Sequence, residues 1–402
     1  KHLGTGQFFF SRQCGSKSQA HPALLHSPPA MRLCASFCAV IALLLSAAVY
    51  PYREHLATSL KAMRVLATMP DEDIDNFFKG YEVLETMGTD GRVGVKDEKD
   101  AKAIHDIYKV LNQVLAVGVV MEIMLMPPTM DRRATVLENI YLWEKRMIKH
   151  LELKPGGRVL DVGSGRGKIA IDVAKATGAG VVQVNIDETQ LALASEFAQS
   201  AGVLDKMEFR NQDFNLPYPY LPNASIDAQY CAQACAFIHD RVKHLKEMYR
   251  VLKPGAIVYQ LEWLAKDFGD RPGLTAASGR GAYDKNNATH RELVRRCGVL
   301  VAGALPAGVL EWESAFREAG FELLKSQDPG EAGTLVVLDR TNKAYEPLSD
   351  AIIWLARHGL VPKRFGDLFV RLRTYWESAV EAYKMDLVSL SWEFVARKPL
   401  DA

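Results

Sequence analysis

The chain has almost no excess of either charge: 49 Lys and Arg stand against 48 Asp and Glu, a net charge of +1. It therefore offers no electrostatic footing for nucleic acid, and none is expected as a partner. There is no internal repeat and no long low-complexity tract, which excludes a solenoid, a propeller or a largely disordered chain. Cysteine is scarce: Cys14, Cys34, Cys38, Cys231, Cys235 and Cys297 are the six in 402 residues. None has zinc-ligand spacing, so no metal is expected. Cys231 and Cys235 fall on one predicted strand, pointing to the same face, and a reduced chain without disulfides is the expectation. What is abundant is apolar surface, 48% of residues, enough for one large α/β domain with appendages or for two domains.

Residues 1–30 begin with Lys1 and mix Gly, Ser, Pro and His without periodicity, as upstream translated sequence or a disordered leader would. Met31 is a credible start. From Leu33 to Tyr50 runs a charge-free stretch of 18 residues, long enough to span a bilayer, or to serve as a cleaved signal peptide. A buried or interfacial apolar helix is the plainer alternative. Arg32 stands alone before the stretch, and Arg53, Lys61 and Arg64 follow it. The positive-inside tendency then leaves the larger C-terminal part in the cytosol, on the endoplasmic reticulum or another internal membrane. The alternatives are an organelle-targeted protein or one soluble after signal removal. The sequons at Asn223 and Asn287 would carry glycans only if the domain were lumenal.

Five organisational blocks follow: 1–30 as leader, 31–53 as anchor or signal, 54–150 as a helical region broken by Pro127-Pro128, 151–340 as an α/β core, and 341–402 as a C-terminal region with a final strand. The core shows short apolar runs at 158–163, 181–186, 207–212, 225–234 and 256–264, with helical stretches such as 187–201 and 240–252 between them. That alternation predicts βαβ units and a parallel sheet. "GFELLKSQ" (320–327) reads as a sixth strand and "WEFVARKP" (392–399) as a last one. Amphipathic segments at 346–360 and 365–388 form a cap or lid.

The chemistry-bearing stretch is "VLDVGSGRGKIAIDVAKATG", residues 159–178, a strand, a glycine turn and the start of a helix. Gly163, Gly165 and Gly167 would let a ligand approach backbone N–H groups at a helix N-terminus. The third glycine comes one residue earlier than in the dinucleotide fingerprint. Asp161, at the strand end, suits a ligand carrying positive charge and an amino group. S-adenosylmethionine has both; the pyrophosphate of NAD has neither. Asn185 at the end of the second strand can reach ribose hydroxyls, and Asp213 with Phe214 after the third can read and cover adenine. The plain alternative is a glycine turn that only packs helix on sheet.

These residues resemble the class I S-adenosylmethionine-dependent methyltransferases, and within them the sterol C-24 methyltransferases, from about Leu151 to the C-terminus. The family's V-L-D-V-G-C-G-x-G is similar to Val159–Gly167, with Ser164 in place of cysteine. Its second-strand end matches Asn185 and Gln190, its E-I-Y-x-V-L-K-P-G matches Glu247–Gly255, and its Y-E-W-x-x-T-D resembles "LEWLAKD" (261–267). Its Y-D-x-x-N-x-x-H-R reappears as "YDKNNATHR" (283–291). The resemblance implies a Rossmann-like seven-stranded core with a helical N-terminal region and C-terminal cap elements. It also implies S-adenosylmethionine held by Asp161, Gly163, Ser164, Gly165, Gly167, Asn185, Gln190, Asp213, Phe214 and Gln233.

The chain departs from the family on the acceptor side. The aromatic sterol-contact segment is replaced by "LAVGVV" (115–120). After the fourth strand E-A-T-C-H-A-P becomes "QACAFIH", so an acid becomes Gln233 and a histidine Phe237. Residues 268–282 are a Gly-rich insertion. The resemblance leaves Glu262 and His290, with Asp267 and Tyr283 as neighbours, as the catalytic candidates. Each also has a plainer reading: a turn cap, a solvent-facing helix residue, ordinary packing. C-methylation of a sterol or related isoprenoid side chain is the leading expectation, and apolar "LAVGVVMEIMLM" (115–126) could line its pocket. The same losses fit a lone-pair acceptor, such as a methylthio-hydroxy acid methylated on sulfur, or an amine. A non-catalytic binding protein on the same fold is the third reading. The partner is thus a small-molecule or lipid acceptor, with a membrane reached through residues 33–50.

Overall fold

Runs of β-branched and small apolar residues, each closed by a polar or glycine-bearing turn, supply the strands of one sheet. The computed structural model describes residues 64–66, 68–86, 98–117, 125–268, 283–300, 306–329 and 335–401. The leader 1–30, the apolar stretch 33–50, residues 118–124 and the insertion at 269–282 lie outside the described residues. In chain order the described helices are α1 (Asp71–Thr86), α2 (Glu98–Val117), α3 (Val136–Leu151), α4 (Lys168–Thr177), α5 (Glu188–Ser200), α6 (Arg241–Val251), α7 (Ala288–Leu300), α8 (Val309–Glu318), α9 (Leu335–Arg357) and α10 (Lys363–Lys384). The strands are β1 (Arg158–Val162), β2 (Gly180–Asn185), β3 (Met207–Asn211), β4 (Ile226–Ala232), β5 (Leu252–Ala265), β6 (Glu322–Gln327) and β7 (Val388–Arg397).

The sheet order is β3-β2-β1-β4-β5-β7-β6. β1 to β5 pair in parallel, as βαβ alternation requires. The parallel pairing expected for the first five runs is borne out, and the sheet is mixed at one edge. β7 pairs antiparallel with both β5 and β6, because the chain returns from α10 in the opposite direction and fills the place between them. All but the last residue of β7 is buried, the pattern of an interior strand. Helix α9 runs through residue 340, where the sequence suggested a boundary, and β7 belongs to the core sheet.

α3 is set against the sheet by a capping box and a buried polar network. Thr135 accepts from the Glu138 N–H while Glu138 accepts from the Thr135 N–H. Farther along, the Trp143 indole donates to Tyr259 Oη (2.8 Å), and Tyr259 donates to Glu393 (2.9 Å). Arg146 grips both oxygens of that fully buried carboxylate, at 2.9 and 2.7 Å. The paired charges and the filled lone pairs hold Glu393 below the usual carboxylate range despite its burial. Among the described residues no helix is long and apolar enough to cross a membrane.

The strand order reverses between β1 and β4, since β2 and β3 lie on one side and β5 on the other. In an open α/β sheet a ligand binds in the crevice at that switch point, beyond the carboxyl ends of the strands. Asp161, the glycine turn and Gln233 all stand there.

Candidate functional site

The three glycines of the β1–α4 turn all have left-handed backbones, with φ of 75° at Gly163, 55° at Gly165 and 77° at Gly167. They do different work. A Cβ on Gly163 would lie 2.2 Å from the Cβ of Ala234, and one on Gly167 would lie 2.8 Å from the Cβ of Ala194. Those two let the β4 loop and α5 close in. A Cβ on Gly165 would meet nothing nearer than Gln190 Oε1 at 3.8 Å. The protein itself leaves the space at Gly165 open. Beside it Ser164 Oγ is buried with no hydrogen-bond partner among the described residues, a polar group aimed at something other than this chain.

Asp161 pairs in register with Tyr230 on β4, whose hydroxyl donates to its Oδ2 at 2.8 Å. It is 3% exposed. Burial pushes its carboxyl up to about 7, against the Tyr230 hydrogen bond, which favours the anion. An ammonium group brought to it would ionise it fully.

Asn185 donates to Gln190 Oε1 (2.9 Å) and more weakly to the Gly165 carbonyl (3.3 Å), so these two side chains form the floor beneath the turn. Asp187 caps α5 by accepting from the Thr189 and Gln190 N–H groups. It is an acid just beyond the end of β2, not among the candidate residues expected from the sequence. A helix-cap spacing of Asp before Glu-Thr-Gln was the available signal. Asp213 accepts from the backbone and the side chain of Asn215 at 2.9 Å. The Phe214 ring lies beside Gly163, and its carbonyl accepts from His244 Nδ1 at 3.1 Å. Since a carbonyl can only accept, the imidazole carries its proton on Nδ1. Burial holds His244 neutral, lowering its pKa to about 4.

Gln233 was expected to touch the cofactor, and the structure gives its amide other partners. Oε1 accepts from the Met126 N–H (2.9 Å), while Nε2 donates to the carbonyls of Met126 (2.8 Å) and Leu390. The amide is occupied by backbone, and what reaches the turn from this loop is its neighbour Ala234.

The four catalytic candidates do not converge. Glu262, on β5, is fully buried, and its Oε1 accepts from the Trp263 N–H at 2.8 Å. Burial pushes its carboxyl up to about 8, although the N–H groups of Trp263, Cys235 and Ala236 favour the anion. Its Oε2 has no partner at hydrogen-bond distance among the described residues. Asp267 lies five residues farther along, on the order of 15 Å away for an extended chain. Its Cβ is 3.1 Å from where a side chain on Gly308 would begin. Tyr283 sits with Asp267, which raises the phenol's pKa after burial has done so, while Arg291 opposes.

His290 takes part in a local hydrogen-bonded turn. Asn287 Oδ1 accepts from the Thr289 and His290 N–H groups, His290 Nδ1 accepts from the Asp284 N–H at 3.2 Å, and Arg291 donates to the Lys285 carbonyl. "YDKNNATHR" thus folds a self-satisfied turn at the start of α7. Tyr108 on α2, unnoticed in the sequence, does belong near Glu262. Burial first, then the Glu262 and Asp187 carboxylates, raise its phenol above the ordinary range.

The expectation of reduced cysteines is also corrected: Cys231 and Cys235 are joined as a disulfide, with Cα atoms 6.4 Å apart. Only Cys231 lies on β4. The strand ends at Ala232, and Cys235 begins a single 3-10 turn that swings its sulfur back. The two sulfurs and a Glu262 oxygen lie within 4.8 Å of one another, a set that could hold a metal ion only with the thiols free. Cys297 is buried and has no disulfide partner among the described residues.

A methyltransferase domain model matches residues 160–260, the span from Asp161 through β5. The chain carries a class I S-adenosylmethionine-dependent methyltransferase domain, and S-adenosylmethionine is that domain's cofactor. The open Gly165, the unpartnered Ser164 hydroxyl and the buried Asp161 carboxyl fit its charged amino-acid end. Among sequence relatives, the chain is 34% identical over 187 residues to the sterol 24-C-methyltransferase erg6 of Aspergillus fumigatus, covering 46% of this chain and 45% of that one. It is 28% identical over 278 residues to cycloartenol-C-24-methyltransferase 1 of Oryza sativa subsp. japonica, covering 65% and 76%. The match thus spans less than half of the Aspergillus protein's length. The solved structure of the 4+2 cyclase SpnF superposes with a TM-score of 0.55 at 21% identity, over 77% of this chain and all of that one. That likeness shows the fold alone.

Proposed function

We propose that the protein methylates the side chain of a sterol or related isoprenoid, using S-adenosylmethionine. The observation that carries this reading is Glu262, a fully buried carboxyl beside the crevice, with one oxygen unpartnered and Tyr108 nearby. The likeness to sterol and cycloartenol methyltransferases supports the same acceptor class.

Bound S-adenosylmethionine supplies an electrophilic methyl group. Asp161 takes the charge of the cofactor's ammonium, Gly165 admits it, and Phe214 with Asn185 and Gln190 shapes its nucleoside end. An alkene that takes the methyl becomes a cation, which an ionised Glu262 and the face of Tyr108 stabilise. With a pKa of about 8, only about a tenth of Glu262 is ionised at pH 7 in the free protein, its proton having passed to solvent. That carboxylate then takes a proton from a carbon next to the cationic centre, which leaves the methylated side chain a neutral alkene.

Labelled S-adenosylmethionine with cycloartenol, a thiol, a thioether and an amine tests the assignment. Methyl transfer to carbon of cycloartenol supports it. Transfer only to sulfur or nitrogen replaces it with lone-pair chemistry, in which Glu262 serves acceptor binding.

We further propose attachment to an internal membrane through residues 33–50, with the domain on the cytosolic face. Protease should then digest the domain in sealed microsomes. The Cys231–Cys235 bridge is the observation that stands against this face, since the cytosol keeps thiols reduced. A bridge still closed in cells freshly trapped with a thiol-blocking reagent would overturn the cytosolic assignment and place the domain on the lumenal side.

A further inference from the structure

We propose that Gln233 is a positioning residue that clasps the segment beginning at Leu125 over the acceptor side of the crevice. The inference rests on the methyl-transfer reading above, and it concerns how the acceptor half is held together.

Three observations carry it. First, the amide makes a two-way bond to one backbone unit, accepting from the Met126 N–H and donating to the Met126 carbonyl, while its other N–H reaches Leu390 on β7. A side chain thereby does what a neighbouring strand would do. Second, Gln233 holds a left-handed backbone, φ 56°, a conformation that disfavours any residue with a Cβ. Glycine would sit there with less strain, so the position keeps a side chain against a backbone cost, and such outliers gather where a side chain has work to do. Third, the residues on either side serve other parts of the site. The Gln233 N–H donates to the Leu261 carbonyl at 2.7 Å, next to Glu262, and Ala234 abuts Gly163 of the cofactor turn.

The clasped segment is well placed to matter. Leu125 is buried in the cluster containing Tyr230 and Leu261, and Met126 packs against the one containing Ala265 and Leu390. The clasp ties Met126 to the loop after β4 and to Leu390 on β7, the strand next to β5. Pro127 and Pro128 follow, without N–H groups to anchor the chain themselves. The amide type is required: a glutamate would keep an acceptor for the Met126 N–H but would set its second oxygen against two carbonyls. This accounts for glutamine where the resembling motif has an acid.

Two variants of the full chain test the clasp, Gln233→Gly, which relieves the backbone, and Gln233→Glu, which removes both donors. Thermal melting establishes that each is folded. Hydrogen exchange at the Met126 amide should quicken about tenfold or more in the glycine variant. S-adenosylmethionine affinity, by calorimetry, should stay within about threefold in both variants, while KM for cycloartenol rises about tenfold and kcat changes much less. Unchanged Met126 exchange in Gln233→Gly, or cofactor affinity falling as far as KM rises, would overturn the proposal. If the wild type does not methylate cycloartenol, the acceptor reading fails separately. Exchange and cofactor affinity then decide the clasp alone: faster exchange with affinity kept supports it, and the reverse overturns it.

Discussion

Binding of S-adenosylmethionine should strengthen as pH rises from 5 toward 7, and Asp161 should be the cause. In the free protein its carboxyl titrates near 7, because burial outweighs the Tyr230 hydrogen bond. The ligand's ammonium needs the anion. Below pH 7 each bound ligand must therefore expel a proton, and affinity follows the ionised fraction. With a pKa of about 7, that fraction rises about ninefold from pH 5 to 6 and about fivefold from pH 6 to 7. The ligand's α-amino group stays protonated across this window and adds no slope, since such groups titrate near 8. Calorimetry in two buffers of different ionisation enthalpy reads both the affinity and the proton released. Asp161→Asn should bind weakly and lose the slope, since a charge-assisted hydrogen bond is worth about 1.5–3 kcal/mol. An affinity that is flat between pH 5 and 7 in the wild type would refute the assignment of this carboxyl to the cofactor. The same shift has a stability side. A folded pKa above the unfolded one contributes stability below about 4, and that contribution is lost as pH rises through about 7.

The glycine turn should separate fold from binding. Gly165→Ala should cost only about 1–2 kcal/mol of stability, for the left-handed backbone, yet abolish cofactor binding. Gly163→Ala adds a 2.2 Å clash with Ala234 and should cost about 3 kcal/mol or more, read by urea unfolding. Glu262→Gln should lower kcat by about 10²–10³ with little change in cofactor affinity. In the wild type kcat/KM should rise with pH through about 8, as this acid ionises in the free protein, and the variant should lose that limb of the profile. Arg146→Ala leaves Glu393 buried without its partner and should destabilise the fold by about 3–5 kcal/mol. With its folded pKa held low, the stabilisation Glu393 gives should be present at neutral pH and fade on acidification below the carboxylate range.

The cofactor half was legible because its signals are local. Asp161, three glycines and a helix start occupy one contiguous stretch, and each of the seven strands lies within or across its apolar run. The acceptor half is assembled from distant residues, and sequence spacing does not say who meets whom. Tyr108 reaches Glu262 across 154 positions, and Gln233 finds Met126 and Leu390 through its amide. Cys231 and Cys235 were misread because a strand periodicity was carried three residues past Ala232, where the chain had already turned. The most specific sequence match, "YDKNNATHR", folds as a hydrogen-bonded turn at the start of α7. Its Asn, His and Arg are fixed by local hydrogen bonds, and a residue can be demanded as strictly by folding as by chemistry.

The divided labour of the glycine turn bears on kinship among proteins of this fold. Gly163 and Gly167 are demanded by the protein's own atoms, so a descendant that stopped using the cofactor would still need both to fold. Gly165 faces space that none of the described residues fills, Gln190 Oε1 at 3.8 Å being the nearest atom to a Cβ there. Once the ligand is abandoned, nothing steric in the protein holds that position to glycine, and drift there costs only the backbone preference. Loss of the middle glycine, with the outer two intact, would therefore mark a lineage that kept the scaffold after giving up the chemistry.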